Sequence, residues 1–292
     1  MKISVVVGSV ESERSIRDCI ASILSAGSEH ATEVIVVDAS RDATAALVRL
    51  HFPDVTLISM PSGTLTPRLW SEGFARSSGS AVAFTTGHCI VPAGWLGDLQ
   101  GALALAAVGA GGPILLERDS SLLDAAIYFL RYSAFMPDGS TESRSVTDIA
   151  GDNCMYVRAE LAPCLSPTDA FWEVDVNRRL TREGKVLTMV PSAAVSFGRS
   201  FPFAVISRHR FEHGIHSGRW RSTEDQVSPW RIVTVAPVVP FVLLLRIIRR
   251  VRRAGGDISL VVMCSPLILW LAMCWAAGEA RGAWRAVDAR RN

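Results

Sequence analysis

Apolar positions in the first half of the chain fall in short unbroken runs, separated by stretches of helical spacing. Ile3 to Val7 is a β-branched run ending at Gly8-Ser9, and Ser15 to Ser25 then places Ile16, Cys19, Ile20, Ile23 and Leu24 on one helical face. Val34 to Val37 is a second wholly apolar run, closed by Asp38, and Ala43 to Leu50 is again helical in pattern. Val55 to Ser59 and Ala81 to Phe84 add two more short strands. Strands apolar on both faces, alternating with amphipathic helices, predict an α/β fold with a mainly parallel sheet covered by helices on both faces. Ligands of such sheets lie beyond the carboxyl ends of the strands.

Further along, Gly109 to Gly112 reads as a turn before a strand, and a helix is expected over Leu122 to Tyr132. Met136 to Ser140 is then a turn-rich loop of the kind that borders active sites. A shorter helix runs from Glu173 to Glu183, stopped at Gly184, and Val186 to Val190 and Ala193 to Phe197 have the pattern of strands. A soluble domain is thus expected over residues 1–198.

Beyond it the pattern changes twice. Residues 199–231 read as a basic amphipathic linker and 232–292 as a hydrophobic, membrane-associated tail. The tail holds two runs: Ile232 to Leu245, broken by Pro237 and Pro240, and the charge-free Ile258 to Gly278. The first has the length of an interfacial or re-entrant segment, whereas the second is long enough to cross a bilayer. Arg246, Arg249, Arg250, Arg252 and Arg253 lie between them, a cluster expected on the cytoplasmic side. The second run is expected to cross alone, with a topology in which both runs are re-entrant as the alternative.

Composition sharpens this division. The mean hydropathy of the 292 residues is +0.27. Residues 1–198 hold 15 Lys and Arg against 22 Asp and Glu, and 199–292 hold 15 against 6, giving charges of −7 and +9. An acidic domain with a basic tail fits an anionic membrane surface, and the long apolar runs among the basic residues argue against nucleic acid as the partner. The six cysteines show no metal-binding spacing and read as buried apolar residues in a reducing compartment. Ile3 to Val7 is too short for a signal-peptide core, so the first domain is expected in the cytoplasm and the whole at the cell membrane.

Four segments in order carry a resemblance. Ser4 to Val7 opens the domain, with Glu11 in the loop after it. Glu33 to Thr44 is a strand running into Asp38-Ala39-Ser40-Arg41-Asp42. Ala81 to Leu96 follows, and then Gly151-Asp152-Asn153 with, at a distance, Phe171 to Leu180. Together they resemble the family 2 glycosyltransferases of GT-A fold. The resemblance implies a nucleotide-sugar donor contacted by Asp38 and Glu11, and an acceptor side formed by Gly151, Asp152, Asn153 and Trp172. It implies a catalytic base at Glu173, with Asp175 in support. Thr86-Gly87-His88 stands where the family carries Asp-X-Asp, whose carboxylates hold Mn²⁺ or Mg²⁺. Thr86 and His88 are therefore expected on the donor, His88 either as a metal ligand or as a direct contact to phosphate. Arg199, Arg208 and Arg210 follow the domain, where related enzymes place arginines near the diphosphate.

Each assignment has a plainer competitor. Asp38 and Asp42 could cap the next helix, Glu173 and Asp175 could offset a helix dipole, and the arginines could rest on anionic lipid. The leading expectation is transfer, by inversion, from a nucleotide-sugar to a lipid-linked or membrane-proximal acceptor. A catalytically inactive binding protein that has lost its metal site is the alternative, favoured by Ala39, Thr86 and Gly87. A dinucleotide-dependent oxidoreductase ranks third, as no Gly-X-Gly-X-X-Gly follows the first strand.

Overall fold

The computed structural model describes residues 2–27, 32–165, 170–198, 201–223 and 225–291, with side chains as far as Arg285. Arg199 lies outside the described residues. Contacts divide the chain into two compact units, Met1–Asp119 with Phe135–Ser200, and Ser120–Ala134 with Phe201–Asn292.

The first unit is built on strands β1 (Ile3–Ser9), β2 (Thr32–Asp38), β3 (Thr56–Ser59) and β4 (Ala81–Thr86). Helices α1 (Ile16–Ala26), α2 (Thr44–His51) and α3 (Thr66–Arg76) connect them, and the four strands are parallel in the order β3-β2-β1-β4. Every residue of β1 and β4 is buried, Ser4, Ser9, Thr85 and Thr86 included, as strands covered on both faces require. Past β4 come the short β5 (Cys89–Ile90), α4 (Trp95–Ala104), β6 (Gly109–Gly111), β7 (Ile114–Leu116), β8 (Arg144–Val146), β9 (Asn153–Val157), β10 (Leu187–Met189) and β11 (Val195–Phe197). The sheet continues β4-β9-β6-β10-β8, with β9 antiparallel to both neighbours, and β5-β11-β7 form a small second sheet.

Gly109 to Gly111 is a strand where the sequence suggests a turn. The reason is packing: a Cβ on Gly109 would come within 2.8 Å of the Tyr156 ring, and one on Gly111 within 2.8 Å of the Asn153 carbonyl. The crowded centre of the sheet admits only glycine there. Around this centre Trp70, Phe84, Tyr156 and Phe171 form an aromatic core, with Phe84 and Phe171 stacked at 4.5 Å and Trp70 edge-on to Phe171 at 5.7 Å.

The second unit is helical. Its first element after Ser120, α5 (Leu122–Tyr132), starts with a capping box in which the Asp124 N–H donates to Ser121 Oγ and the Ser121 N–H donates to Asp124 Oδ2, each at 3.1 Å. It buries Ala125, Ala126, Ile127, Tyr128, Phe129 and Tyr132. The remaining helices come after the other unit's last strand. With the two short helices α6 (Arg158–Leu161) and α7 (Glu173–Arg182) belonging to the first unit, these are α8 (Phe203–Thr223), α9 (Pro229–Val235), α10 (Val239–Arg253) and α11 (Ile258–Arg291).

Helices α8 and α11 run parallel in near backbone contact. A Cβ on Gly214 would lie 2.1 Å from the Trp275 carbonyl oxygen and one on Gly218 2.0 Å from that of Glu279. From the other side, a Cβ on Gly278 would lie 2.0 Å from the Phe211 carbonyl oxygen and one on Gly282 2.1 Å from that of Ile215. Two Gly-X3-Gly pairs thus interlock, the device by which helices approach most closely. Within the seam Glu279 is fully buried and accepts from Arg221 Nη1 at 2.8 Å and from Ser217 Oγ at 3.1 Å. Those partners are what permits a carboxylate there. By length and composition α11 is apolar enough over Ile258–Arg285 to cross a membrane, and α9 and α10 form a pair bent by 71°.

Candidate active site

The carboxyl ends of β1, β2 and β4 define the site's edge. Ser9 and Asp38 are register partners there, and Thr86 ends β4 two strands from Asp38, about 10 Å away. Asp38 is buried, and its Oδ1 accepts from Ser40 Oγ at 2.6 Å. Ser40 Oγ in turn accepts the Glu11 N–H at 2.8 Å, and a Glu11 carboxylate oxygen accepts the Arg41 N–H at 2.9 Å. Glu11 has φ +51°, a left-handed conformation that a residue with a side chain adopts only when its surroundings impose it. The loops after β1 and β2 are therefore tied together, and the tie orients Asp38. Asp42 instead accepts the Thr44 N–H at 3.0 Å, a local turn at the start of α2.

Burial pushes the Asp38 carboxyl above the ordinary aspartate range, with the Ser40 hydroxyl opposing it. A carboxyl whose pKa is higher in the folded state holds its proton more tightly there. Stability gained at acid pH is then lost as pH rises through the folded value. Near neutral pH the ionised Asp38 is a cost carried by the ligand-free protein. Asp38→Asn is expected to raise the ligand-free melting temperature near pH 7. The gain should shrink towards pH 4, and calorimetry across this range checks the sign.

On the other side of β1, Thr86 Oγ1 donates to Asp152 Oδ1 at 3.1 Å, both residues being buried. Asp152 reaches this position because β9 runs antiparallel to β4 with Thr85 opposite Asn153. Gly151 completes the turn: a Cβ there would meet the Trp70 ring at 2.7 Å and Glu173 Cβ at 3.2 Å. That contact brings the first residue of α7 against the Gly151-Asp152 backbone. Helix α7 is held in place by Asn177, whose Oδ1 accepts from Tyr156 Oη at 2.6 Å and whose Nδ2 donates to the Ile149 carbonyl at 2.9 Å. Sequence reasoning missed Asn177 and Tyr156; the polar Asn177 between the apolar Val176 and Leu180 of α7 was the available signal. Glu173, Asp175 and Trp172 are all half-buried at the start of this helix, with Trp172 as the residue before it.

Two expected ligands of substrate or metal turn inward instead. Asn153 spends its amide on the fold: Oδ1 accepts from Trp95 Nε1 at 2.8 Å, and Nδ2 donates to the Pro113 and Ala193 carbonyls at 3.0 and 2.9 Å. His88 is buried with Nε2 at 3.0 Å from the Val10 carbonyl and 3.3 Å from Ser12 Oγ, and Nδ1 at 3.4 Å from Ser15 Oγ. Both ring nitrogens thus face the loop after β1. Among the described residues no three His, Cys, Asp or Glu side chains gather as a metal site. A hydroxyl and an inward-facing imidazole at the end of β4 do not fit a resident divalent cation.

Arg208 and Arg210 belong to α8 in the second unit. Arg208 pairs with Glu212 at 3.4 Å on the exposed side of the helix. Burial, with Arg131 adding to it, pushes the pKa of Arg210 down to about 10.

A parallel sheet with an antiparallel strand inserted beside β4, a buried carboxylate at the end of β2 and a carboxylate-led helix behind β9 together define a GT-A glycosyltransferase. The chain belongs to glycosyl transferase family 2, whose model matches residues 4–161. Among solved structures it is similar to the S. aureus protein TarS, at 15% identity and a TM-score of 0.50, with 97% of this chain and 55% of that chain covered. It therefore spans about half the length of that protein. TarS 1-349 in complex with UDP-GlcNAc matches at 13% identity and a TM-score of 0.51, covering 99% of this chain and 92% of that one. Glucosyl-3-phosphoglycerate synthase from Mycobacterium tuberculosis, in complex with Mn²⁺, UDP and phosphoglyceric acid, matches at 19% identity and a TM-score of 0.50, covering 71% and 74%. No curated protein matches the sequence.

Proposed function

We propose that this protein is an inverting hexosyltransferase that carries a sugar from a nucleotide-sugar to a lipid-linked or membrane-proximal acceptor, working at the cytoplasmic face of the cell membrane. The reading rests on one observation above all: Asp38, the Thr86–Asp152 pair and Glu173 stand along one edge of the first unit's sheet. In this reading Asp38 accepts hydrogen bonds from the base or ribose. Asp152, oriented by Thr86, accepts from hydroxyls on the acceptor side. Glu173 takes the proton of the acceptor hydroxyl as its oxygen bonds to the anomeric carbon, while the bond from that carbon to the diphosphate oxygen breaks. Attack opposite the leaving group inverts the configuration. The basic, apolar second unit supplies the membrane side of the reading.

Thermal-shift measurements on the full chain test it. UDP-sugars are the first probes, since two of the similar structures hold uridine nucleotides. At least one nucleotide-sugar should raise the melting temperature, and Asp38→Asn should remove most of that rise. Parallel runs with Mn²⁺ and with EDTA decide the metal requirement, and equal rises in both are expected. No stabilisation by any nucleotide-sugar would remove the donor assignment.

A further inference from the structure

Gly87 and His88, just past the end of β4, pack against the loop that follows β1. The Gly87 N–H donates to the Gly8 carbonyl at 3.0 Å, and a Cβ on Gly87 would lie 2.7 Å from Ser12 Oγ and 2.9 Å from Ser12 Cβ. A residue without a side chain is what lets the loop come so close. The His88 ring meets the same loop and is buried with Val10, Ser12 and Ser15. Because a carbonyl oxygen only accepts, the 3.0 Å contact between Nε2 and the Val10 oxygen fixes a proton on Nε2. In the neutral ring Nδ1 then accepts from the Ser15 hydroxyl at 3.4 Å.

The Val10 oxygen belongs to the same peptide group as the Glu11 N–H, and that peptide is trans, so its two ends point in opposite directions. Holding the oxygen on His88 aims the N–H at Ser40 Oγ, 2.8 Å away, and the Ser40 hydroxyl donates to Asp38 Oδ1 at 2.6 Å. One chain of hydrogen bonds thus runs from the end of β4, through the loop after β1, to the end of β2. Every donor in it points towards Asp38, the arrangement in which successive bonds strengthen one another. The left-handed Glu11 stands in the middle of this chain, and a peptide gripped at both ends is what holds it there. The same two loops are also joined by the Ser12 N–H to Thr44 Oγ1 and the Glu13 N–H to Asp42 Oδ2, each at 3.1 Å. Losing the His88 link therefore loosens the aim of Asp38 without parting the loops.

We propose that His88 is a positioning residue for the nucleotide-sugar: it aims the Asp38 carboxylate through the Val10–Glu11 peptide and Ser40, and touches no ligand itself. The inference rests on the donor role given to Asp38 above.

The test titrates the full chain calorimetrically with UDP, GDP, CDP and dTDP. His88→Asn should weaken the tightest of these about tenfold, whereas His88→Gln, whose amide nitrogen falls near the Nε2 position, should stay within about threefold of the natural chain. In a Ser40→Ala background, where the chain of bonds is already cut, His88→Asn should weaken binding by less than about twofold more. A role in packing alone would weaken binding equally in both backgrounds, and that result overturns the proposal, as does a glutamine variant no better than asparagine. Selective ¹⁵N-histidine spectra of the ligand-free natural chain, with His88→Gln to identify the signal among the six histidines, need neither nucleotide nor a folded His88→Asn variant. A proton on Nε2 is expected, and a proton on Nδ1 alone would overturn the positioning role even where nucleotide binds. A natural chain that binds none of the four nucleotides would instead overturn the donor reading, and the proposal with it, whatever the spectra show.

Discussion

Glu173→Gln is expected to lower turnover by about 10²–10⁴-fold while leaving nucleotide-sugar affinity within a factor of two. The substitution keeps the side chain's shape and removes only its capacity to accept a proton. Its surroundings make it a clean test. Glu173 opens α7, and α7 is held by Asn177 against Tyr156 and the Ile149 carbonyl, contacts that the substitution leaves alone. The aliphatic stem sits against Gly151, a contact the substitution keeps. Steady-state rates with isothermal titration of the donor separate the two effects. Unchanged turnover would return Glu173 to the role of a helix-dipole partner. Lost turnover together with lost donor affinity would mean that the edge of the sheet had been disturbed rather than a base removed.

The largest effect on stability is expected at the α8–α11 seam. Gly218→Leu should lower the melting temperature of the second unit by about 10 °C or more, or unfold that unit outright. A Cβ at Gly218 meets the Glu279 carbonyl oxygen at 2.0 Å, and backbone cannot yield as a flexible side chain does. The helices must part by an ångström or more, and the dispersion contacts along the seam go with them. Separation would also pull the buried Glu279 away from Arg221 and Ser217, and a buried charge deprived of its partners costs about 3–5 kcal/mol. Gly101→Ala is the control with the opposite sign. It lies inside α4 with nothing within 4 Å of a new Cβ, so the gain in helix propensity, about 1 kcal/mol, should appear as a small rise. Calorimetry of both variants checks the pair. Equal effects at the two positions would mean that helix propensity, and not the close approach, governs the seam.

The parallel half of the sheet was legible because its signal is local. Four short runs, apolar but for Ser4 in the first and Thr56 and Ser59 in the third, predict β1 to β4 within about two residues, and helical spacing predicts α5 over Leu122 to Tyr132 as observed. Helix α3 was passed over: its apolar face is carried by Leu69 and Trp70 amid polar and small residues, and Trp70 is buried by aromatics distant in sequence. The glycine strand β6 was illegible for the same reason, since the Tyr156 ring that demands glycine lies 47 positions away. Motif order proposes Asp38, Asp152 and Glu173 for the site, and the structure sets them along one edge of the sheet. The order alone does not reveal the inward turns of Asn153 and His88, because a polar side chain beside a motif looks the same whether it faces a ligand or the protein interior. Only the Pro113, Ala193 and Val10 carbonyls that surround them tell the two apart.

Helix α5 has a practical meaning for anyone dividing this protein. It arises between β7 and β8, in the middle of the first unit's sequence, yet it packs on α11 as part of the second unit. Ending the chain after Gly198 therefore does not release a self-sufficient unit. It strands a helix whose Ala125, Ala126, Ile127, Tyr128, Phe129 and Tyr132 have lost their cover, a sticky surface carried on the remaining fold. A truncated form that stays monomeric needs this loop shortened as well, with residues 120–134 exchanged for a polar linker. The two units are sewn together by the path of the chain, which leaves the first at Ser120, returns at Phe135 and leaves again at Phe201.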